Sequence, residues 1–238
     1  MEDVLPALSL RPDLILADPP YGETSLAWDR WPTGWPGLIA ELGYGQSMWC
    51  FGSMRMFLDR RDEFAAWKLS QDVVWEKHAG TSFAADRFRR VHEHAVHWYR
   101  GPWGAVHHDV PRRAHLGPRV ATAVRTPRDA GWHGAIAERV PWEDDGTRLE
   151  ASIIRARGLH RAGGINETEK PTGLLEPLIS YGCPPGGLVV DPFAGSASTL
   201  VAARNLGRRA IGIEMREEQC EQAARRLAQD CLPLGGAL

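Results

Sequence analysis

The chain has 238 residues, 43% of them hydrophobic, a formal charge of -2 and four scattered cysteines, Cys50, Cys183, Cys220 and Cys231. That length and apolar share fill one or two domain cores and exclude a disordered tail or a disulfide miniprotein. The cysteines lack CxxC spacing, no run reaches 18 apolar residues, and the start MEDVLPALSL lacks a basic leader segment, so a soluble, cytoplasmic protein is expected.

DLILA (13–17) is an apolar run stopped by Asp18-Pro19-Pro20, the pattern of a buried strand ending in a rigid loop. SMWCF (47–51), DVVWE (72–76) and EHAVHWY (93–99) predict three more strands, with helical character over 54–69 between the first two. Residues 100–165 scatter Pro and Gly without lasting periodicity and read as an inserted, loop-rich region. Pro171 suits the first turn of a helix reaching Ile179. GLVVD (187–191) predicts a strand, SASTLVAARNL (196–206) a helix closed by Gly207, and RRAIGIE (208–214) another strand. The last predicted helix carries Glu217 and Glu218 early and Arg225 and Arg226 late, matching its dipole; Cys220, Ala223, Ala224 and Leu227 give it an apolar stripe.

In an open parallel sheet, ligands bind beyond the carboxyl ends of the strands, so the loops after DLILA and GLVV carry the chemistry. In Asp18-Pro19-Pro20-Tyr21 two prolines remove two backbone donors, leaving carbonyls and a carboxylate beside an aromatic face. A planar group bearing an NH2 fits such a cluster, its hydrogens on the acceptors and its ring on Tyr21. In Asp191-Pro192-Phe193-Ala194-Gly195-Ser196-Ala197-Ser198-Thr199 small residues sit at a strand-to-helix junction, where free N–H groups attract an anion. Gly195 is the only glycine there, so a dinucleotide pyrophosphate is poorly served, which disfavours an NAD-dependent dehydrogenase. Glu214 ends the next strand, where an acid accepts both hydroxyls of a ribose. These features imply an adenosine-type cofactor with a carboxylate tail.

DPPY followed by Trp28-Asp29, VVWEK, RFRRVHE, TEKP, DPFAGSAST and GIE resembles the amino-directed DNA methyltransferases whose DPPY motif precedes the cofactor motif, the beta order. The resemblance implies a class I S-adenosylmethionine-dependent methyltransferase fold: an α/β, Rossmann-like, mostly parallel sheet, circularly permuted. It implies a catalytic half at 1–99, a target-recognition region at 100–165 and a cofactor-binding half at 166–238. By resemblance Asp18, Pro19, Pro20 and Tyr21 are catalytic. Asp3, Asp18, Thr168, Lys170, Asp191, Phe193, Ala194, Gly195, Ser196, Ser198, Thr199 and Glu214 bind the cofactor S-adenosyl-L-methionine. The implied reaction is methylation of adenine N6 in double-stranded DNA after base flipping, with no metal; homodimers are common in the family. Adenine is preferred over cytosine N4 because cytosine enzymes of this order usually carry serine where Asp18 stands. Cytosine N4, an RNA adenine and a degenerate DNA-binding regulator are the alternatives. The chain departs from the family at Ala197 and Ser198, which replace a glycine and a threonine, and at Glu169, where glutamine is common.

Attack at cytosine C5 needs a nucleophilic cysteine after proline, which none of the four is. His92-Glu93-His94-Ala95-Val96-His97 resembles a zinc helix, but HExxH would need histidine at Val96; Glu93 and Trp98 instead fit the methyltransferase pattern. Between Asp86 and Arg128 nine arginines face three acids, a net +6 that leaves -8 for the rest. Such segregation suits a phosphate-tracking surface, with Arg87, Arg89, Arg90, Arg112, Arg113, Arg119, Arg125 and Arg128 as its candidates.

Overall fold

The computed structural model describes residues 4–7, 11–77, 85–114, 145–157 and 169–229. Asp3, Thr168, Arg119, Arg125 and Arg128 lie outside the described residues. Contacts divide the chain into two units, Met1–Val110 with Ala151–Leu238, and Pro111–Glu150.

The larger unit holds strands β1 (Leu14–Ala17), β2 (Ser47–Gly52), β3 (Lys68–Glu76) and β4 (His92–Tyr99) and helices α1 (Trp35–Glu41) and α2 (Met54–Asp59). The smaller unit contributes an antiparallel pair, β5 (Arg112–Ala114) and β6 (Thr147–Leu149). The larger unit resumes with β7 (Ile153–Arg155), α3 (Thr172–Gly182), β8 (Leu188–Asp191), α4 (Ser198–Asn205), β9 (Arg209–Gly212) and α5 (Glu217–Ala228).

Its sheet has the order β7-β3-β4-β2-β1-β8-β9; six strands run one way and β4 alone is reversed, so the expected mostly parallel sheet is what forms. Ile153–Arg155, inside the stretch read as loop-rich, adds an edge strand parallel to β3. α1 also went unread, because WPTGWPG looks like loop, yet Trp35, Ile39 and Ala40 bury one face of a short helix.

Successive side chains of a strand point to opposite faces. On β1, Ile15 and Ala17 therefore join Trp35, Ile39, Phe57 and Phe64 in one core, while Leu14 and Leu16 join Leu174, Leu178 and Ala202 in another. The sheet is thus covered by α1 and α2 on one face and by α3 and α4 on the other. All four residues of β1 are buried, as are those of β8, which explains why both read as unbroken apolar runs rather than alternating ones.

The turn of α5 about its axis corrects the expectation. Its predicted stripe leaves Cys220 and Ala224 exposed, and the covered face is instead Gln219, Gln222, Ala223, Arg226 and Leu227. Arg226 faces inward because it meets polar partners, Glu169, Ser196 and Ser198.

Candidate active site

Register places the chemistry at one edge of the sheet. β1 pairs with β2 through Ala17 and Cys50, and β8 pairs with β9 through Asp191 and Gly212. Asp18, Asp191 and Glu214 therefore leave the sheet on the same side. The reversed β4 begins where its parallel neighbours end, and pairing of Trp75 with Glu93 brings that acid to the same edge.

Asp18 keeps 27% of its side chain exposed and accepts two bonds, from Tyr21 Oη at 3.1 Å and from Lys170 Nζ at 2.6 Å. Lys170 stands just before α3, is 8% exposed, and also lies 3.4 Å from Glu93 Oε2. Its ammonium sits 5.1 Å from the centre of the Phe51 ring and 6.0 Å from that of Trp75. The other Glu93 oxygen is bonded by Lys77, which lies over Trp75, and Tyr21 Oη reaches Glu93 Oε2 at 3.5 Å. Two lysines and two carboxylates thus balance around one phenol.

Burial pushes the Asp18 carboxyl above its usual value, against the pull of Lys170. Burial, then the Asp18 and Glu93 charges, push the Tyr21 phenol well above its own, keeping it a neutral donor. For Lys170 burial opposes the charge, but Asp18 and Glu93 win and raise it. Burial likewise opposes the Glu93 charge, but Lys170 and Lys77 hold the carboxyl below its usual value.

Asp29 fixes the loop after Tyr21, accepting backbone bonds from Gly22 at 2.8 Å, Glu23 at 3.0 Å and Thr24 at 2.7 Å. Burial works to raise its carboxyl, yet the Thr24 hydroxyl and these N–H groups outweigh it and lower it. Pro19 is buried and Pro20 half-buried beside this loop.

On the other loop, Asp191 Oδ1 accepts from Phe193 N at 2.9 Å, and burial pushes its carboxyl up to about 7. Glu214 Oε2 accepts from Gly195 N at 3.0 Å, and its Oε1 accepts from Arg216 N at 2.9 Å. The loop was expected to present free N–H groups, but four are engaged: Phe193, Gly195, Ala194 (to Ile213 O, 2.9 Å) and Ala197 (to Ala194 O, 2.7 Å). Left-handed turns at Gly195 (φ 47°) and Ala197 (φ 63°) fold the loop back onto β9 and make these bonds. Phe193 packs edge-on against Trp35, their centres 5.3 Å apart. Ser196, Ser198 and Thr199 are buried, and Ser198 Oγ donates to Glu169 Oε1 at 2.8 Å.

Asp29, Lys77, Glu93 and Glu169 stand in the motifs that carried the resemblance, Trp28-Asp29, VVWEK, RFRRVHE and TEKP, but were given no site role there. Arg226 carried no signal, because it looked like a dipole-matching surface residue.

The described basic candidates, Arg87, Arg89, Arg90, Arg112 and Arg113, are exposed. Arg87 is bidentate to Asp86 (2.8 and 2.7 Å), Arg90 lies 3.7 Å from Glu23, and Arg89 has no partner among the described residues. In the smaller unit Arg112 meets Thr147 Oγ1 at 2.7 Å and Asp145 at 3.1 Å, and Arg113 lies 3.5 Å from Glu150. His92 and His94 pack edge to face with ring centres 5.4 Å apart, and among the described residues no three His, Cys, Asp or Glu side chains gather as a metal site. No helix among them is long and apolar enough to cross a membrane.

Residues 12–225 match the family profile N6_N4_Mtase, described as DNA methylase. The DNA adenine methyltransferase YhdJ of Escherichia coli (strain K12) is 45% identical over 60 residues, 25% of this chain and 20% of that protein. Curated relatives are matched over only 20 to 27% of their own length. The M1.HpyAVI–SAM complex aligns with a TM-score of 0.64 and 21% identity, over 96% of this chain and 94% of its own. The cytosine-N4-specific PvuII DNA methyltransferase aligns at 0.59 and 15%, over 93% and 82%. At these identities the structural likeness establishes the fold, that of the class I methyltransferases. Because the profile runs through both strand-end loops and every strand of the sheet between them, the chain belongs to the DNA methylase family.

Proposed function

We propose that this protein transfers a methyl group from S-adenosylmethionine to adenine N6 in double-stranded DNA. The observation that carries the reading is the convergence of Asp18, Tyr21, Lys170 and Glu93 on the sheet edge that also bears Asp191 and Glu214.

The residues present fit the cofactor. Glu214 keeps acceptor capacity for ribose hydroxyls beyond its two backbone bonds and the bond from Arg216 Nε at 3.3 Å. Met215, which follows it, is 92% exposed and offers apolar cover to a planar base. When bound, S-adenosylmethionine supplies an electrophilic methyl on a sulfonium. The chain's own residues orient the acceptor. Tyr21 stacks on the flipped base, while the Asp18 carboxylate and the Pro19 carbonyl accept its amino hydrogens and draw the nitrogen toward sp3 geometry. Lys170 and Tyr21 hold Asp18 by one oxygen each and so fix its direction. The proton that the methylated amine sheds passes to Asp18, whose raised value suits it to receive one. Extruding the base costs a few kcal/mol, which stacking and these acceptors offset.

Phe88, fully exposed between Arg87 and Arg89, gives the rim an aromatic side chain among cations, the composition that contacts nucleic acid. Residues 100–165 are the proposed target-recognition region. Cytosine N4 is the second reading, favoured by the N4-specific structural neighbour. Expression in a methylation-free host, sequencing with base-modification detection and nucleoside mass spectrometry tests both. N6-methyladenine in one sequence context is expected; N4-methylcytosine alone would replace the base assignment, and no modified base would overturn the activity.

A further inference from the structure

The inward face of α5 carries Arg226, and what it touches defines its task. Its Nη1 lies 2.6 Å from Glu169 Oε1 and donates to the carbonyl of Ser196 at 3.0 Å and to Ser198 Oγ at 3.4 Å. Glu169 has a side chain only 1% exposed, accepts from Ser198 Oγ at 2.8 Å and immediately precedes Lys170, which holds Asp18. One guanidinium therefore joins the last helix, the loop after β8 and the segment that leads into α3.

The loop needs such a hold. Ala197 is the only non-glycine among the described residues with positive φ, a conformation that strains an L-residue. Ser196, whose carbonyl receives Arg226, directly precedes it. A buried carboxylate is expensive without a cation, and the cation supplied reaches the strained turn as well. Arg204 of α4 binds the Leu227 carbonyl at 2.8 Å, a second tie between α5 and the helix that the turn begins.

We propose that Arg226, with Glu169 as its buried counter-ion, is a positioning residue that holds the turn at Ser196–Ser198 in the shape that binds S-adenosylmethionine. The inference rests on the reading that this loop binds that cofactor. It makes α5 part of the cofactor machinery, although no residue of the helix has been assigned a contact with it.

The test compares wild type, Arg226→Ala, Arg226→Lys and the neutral pair Glu169→Gln/Arg226→Gln, with Arg225→Ala as control, since Arg225 is exposed and among the described residues pairs only with Glu221. S-adenosylmethionine affinity is read by calorimetry, and loop order by hydrogen exchange of peptides covering 192–200. Arg226→Ala should raise the dissociation constant about tenfold and speed exchange in the loop but not in β1; Arg226→Lys should recover part of both, and Arg225→Ala should change neither. If Arg226→Ala does not fold, the neutral pair decides: its shorter side chain cannot span to Ser196, so affinity should still fall about tenfold at near-normal thermal stability. Unchanged affinity in a folded Arg226→Ala or in the neutral pair overturns the proposal. A wild type that binds no S-adenosylmethionine overturns the cofactor reading beneath it instead.

Discussion

Asp18 and Glu214 are both acids at strand ends, yet their partners predict different losses. Asp18 faces Tyr21 and Lys170, on the side assigned to the target amine, so Asp18→Ala should lower methyl transfer at least about 100-fold with cofactor affinity nearly kept. Glu214→Ala should instead weaken S-adenosylmethionine about tenfold, since it removes the proposed ribose acceptor and frees Gly195 N. Calorimetry beside tritium transfer separates the two, and normal turnover in Asp18→Ala would sink the assignment. Stability against pH depends on another pair. Burial, then His108, lowers His97 to about 4, so between 6.5 and 4 the unfolded chain binds more protons and His97 costs stability as pH falls. Asp191, raised from 3.8 to about 7, acts the other way: there the native state binds more protons, and acid favours folding. The two oppose each other over their shared window. His97→Gln should therefore gain stability from pH 7 to 5 and Asp191→Asn should lose it, each by at most about 3 kcal/mol, as urea titrations at both pH values would show.

What could be read from the letters depended on how each element earns its burial. β1 and β8 announced themselves because both of their faces are covered, and the loops after them follow from strand direction alone. α5 was legible as a helix but not in its orientation, because apolar spacing cannot foresee that Arg226 goes inward to a buried glutamate. β7 has only three residues, and its pairing with β3 is a long-range event that no local pattern encodes. The loop after β8 was legible as a strand-to-helix junction, but its engaged N–H groups were not, since they depend on the approach of β9. That approach is close: a Cβ on Gly212 would fall 2.6 Å from Ala194 Cβ. Leu200 could swing aside, but Ala194 can move only with its backbone. Gly212→Ala should cost roughly 1–3 kcal/mol in folding and weaken S-adenosylmethionine beyond that, whereas unchanged binding would show that the loop tolerates displacement.

Across the whole molecule a net charge of -2 hides an arginine-rich middle, and among the described residues part of that charge is already committed. Arg100 donates to the Ala40 carbonyl at 2.6 Å and lies over Trp67, so it serves the larger unit's own packing. Arg112 and Arg113 each pair with an acid of their own unit. An exposed pair of this kind contributes little, so a phosphate can displace the acid readily, but the acid remains nearby and repels the backbone. Removing the acid is therefore more telling than removing the arginine. DNA affinity should fall with salt at a log-log slope near -0.9 per phosphate neutralised, and Arg89→Ala, which breaks no described pair, should make it shallower by about that amount. Asp145→Asn should do the opposite. It keeps a side-chain acceptor for the Thr147 backbone, bonded to Asp145 at 2.9 Å, while taking the charge from Arg112. If Arg112 contacts phosphate, this variant should bind duplex DNA more tightly at 50 mM salt and lose that advantage as salt rises. Binding curves that superimpose on wild type throughout the titration would exclude Arg112 from the DNA-facing surface.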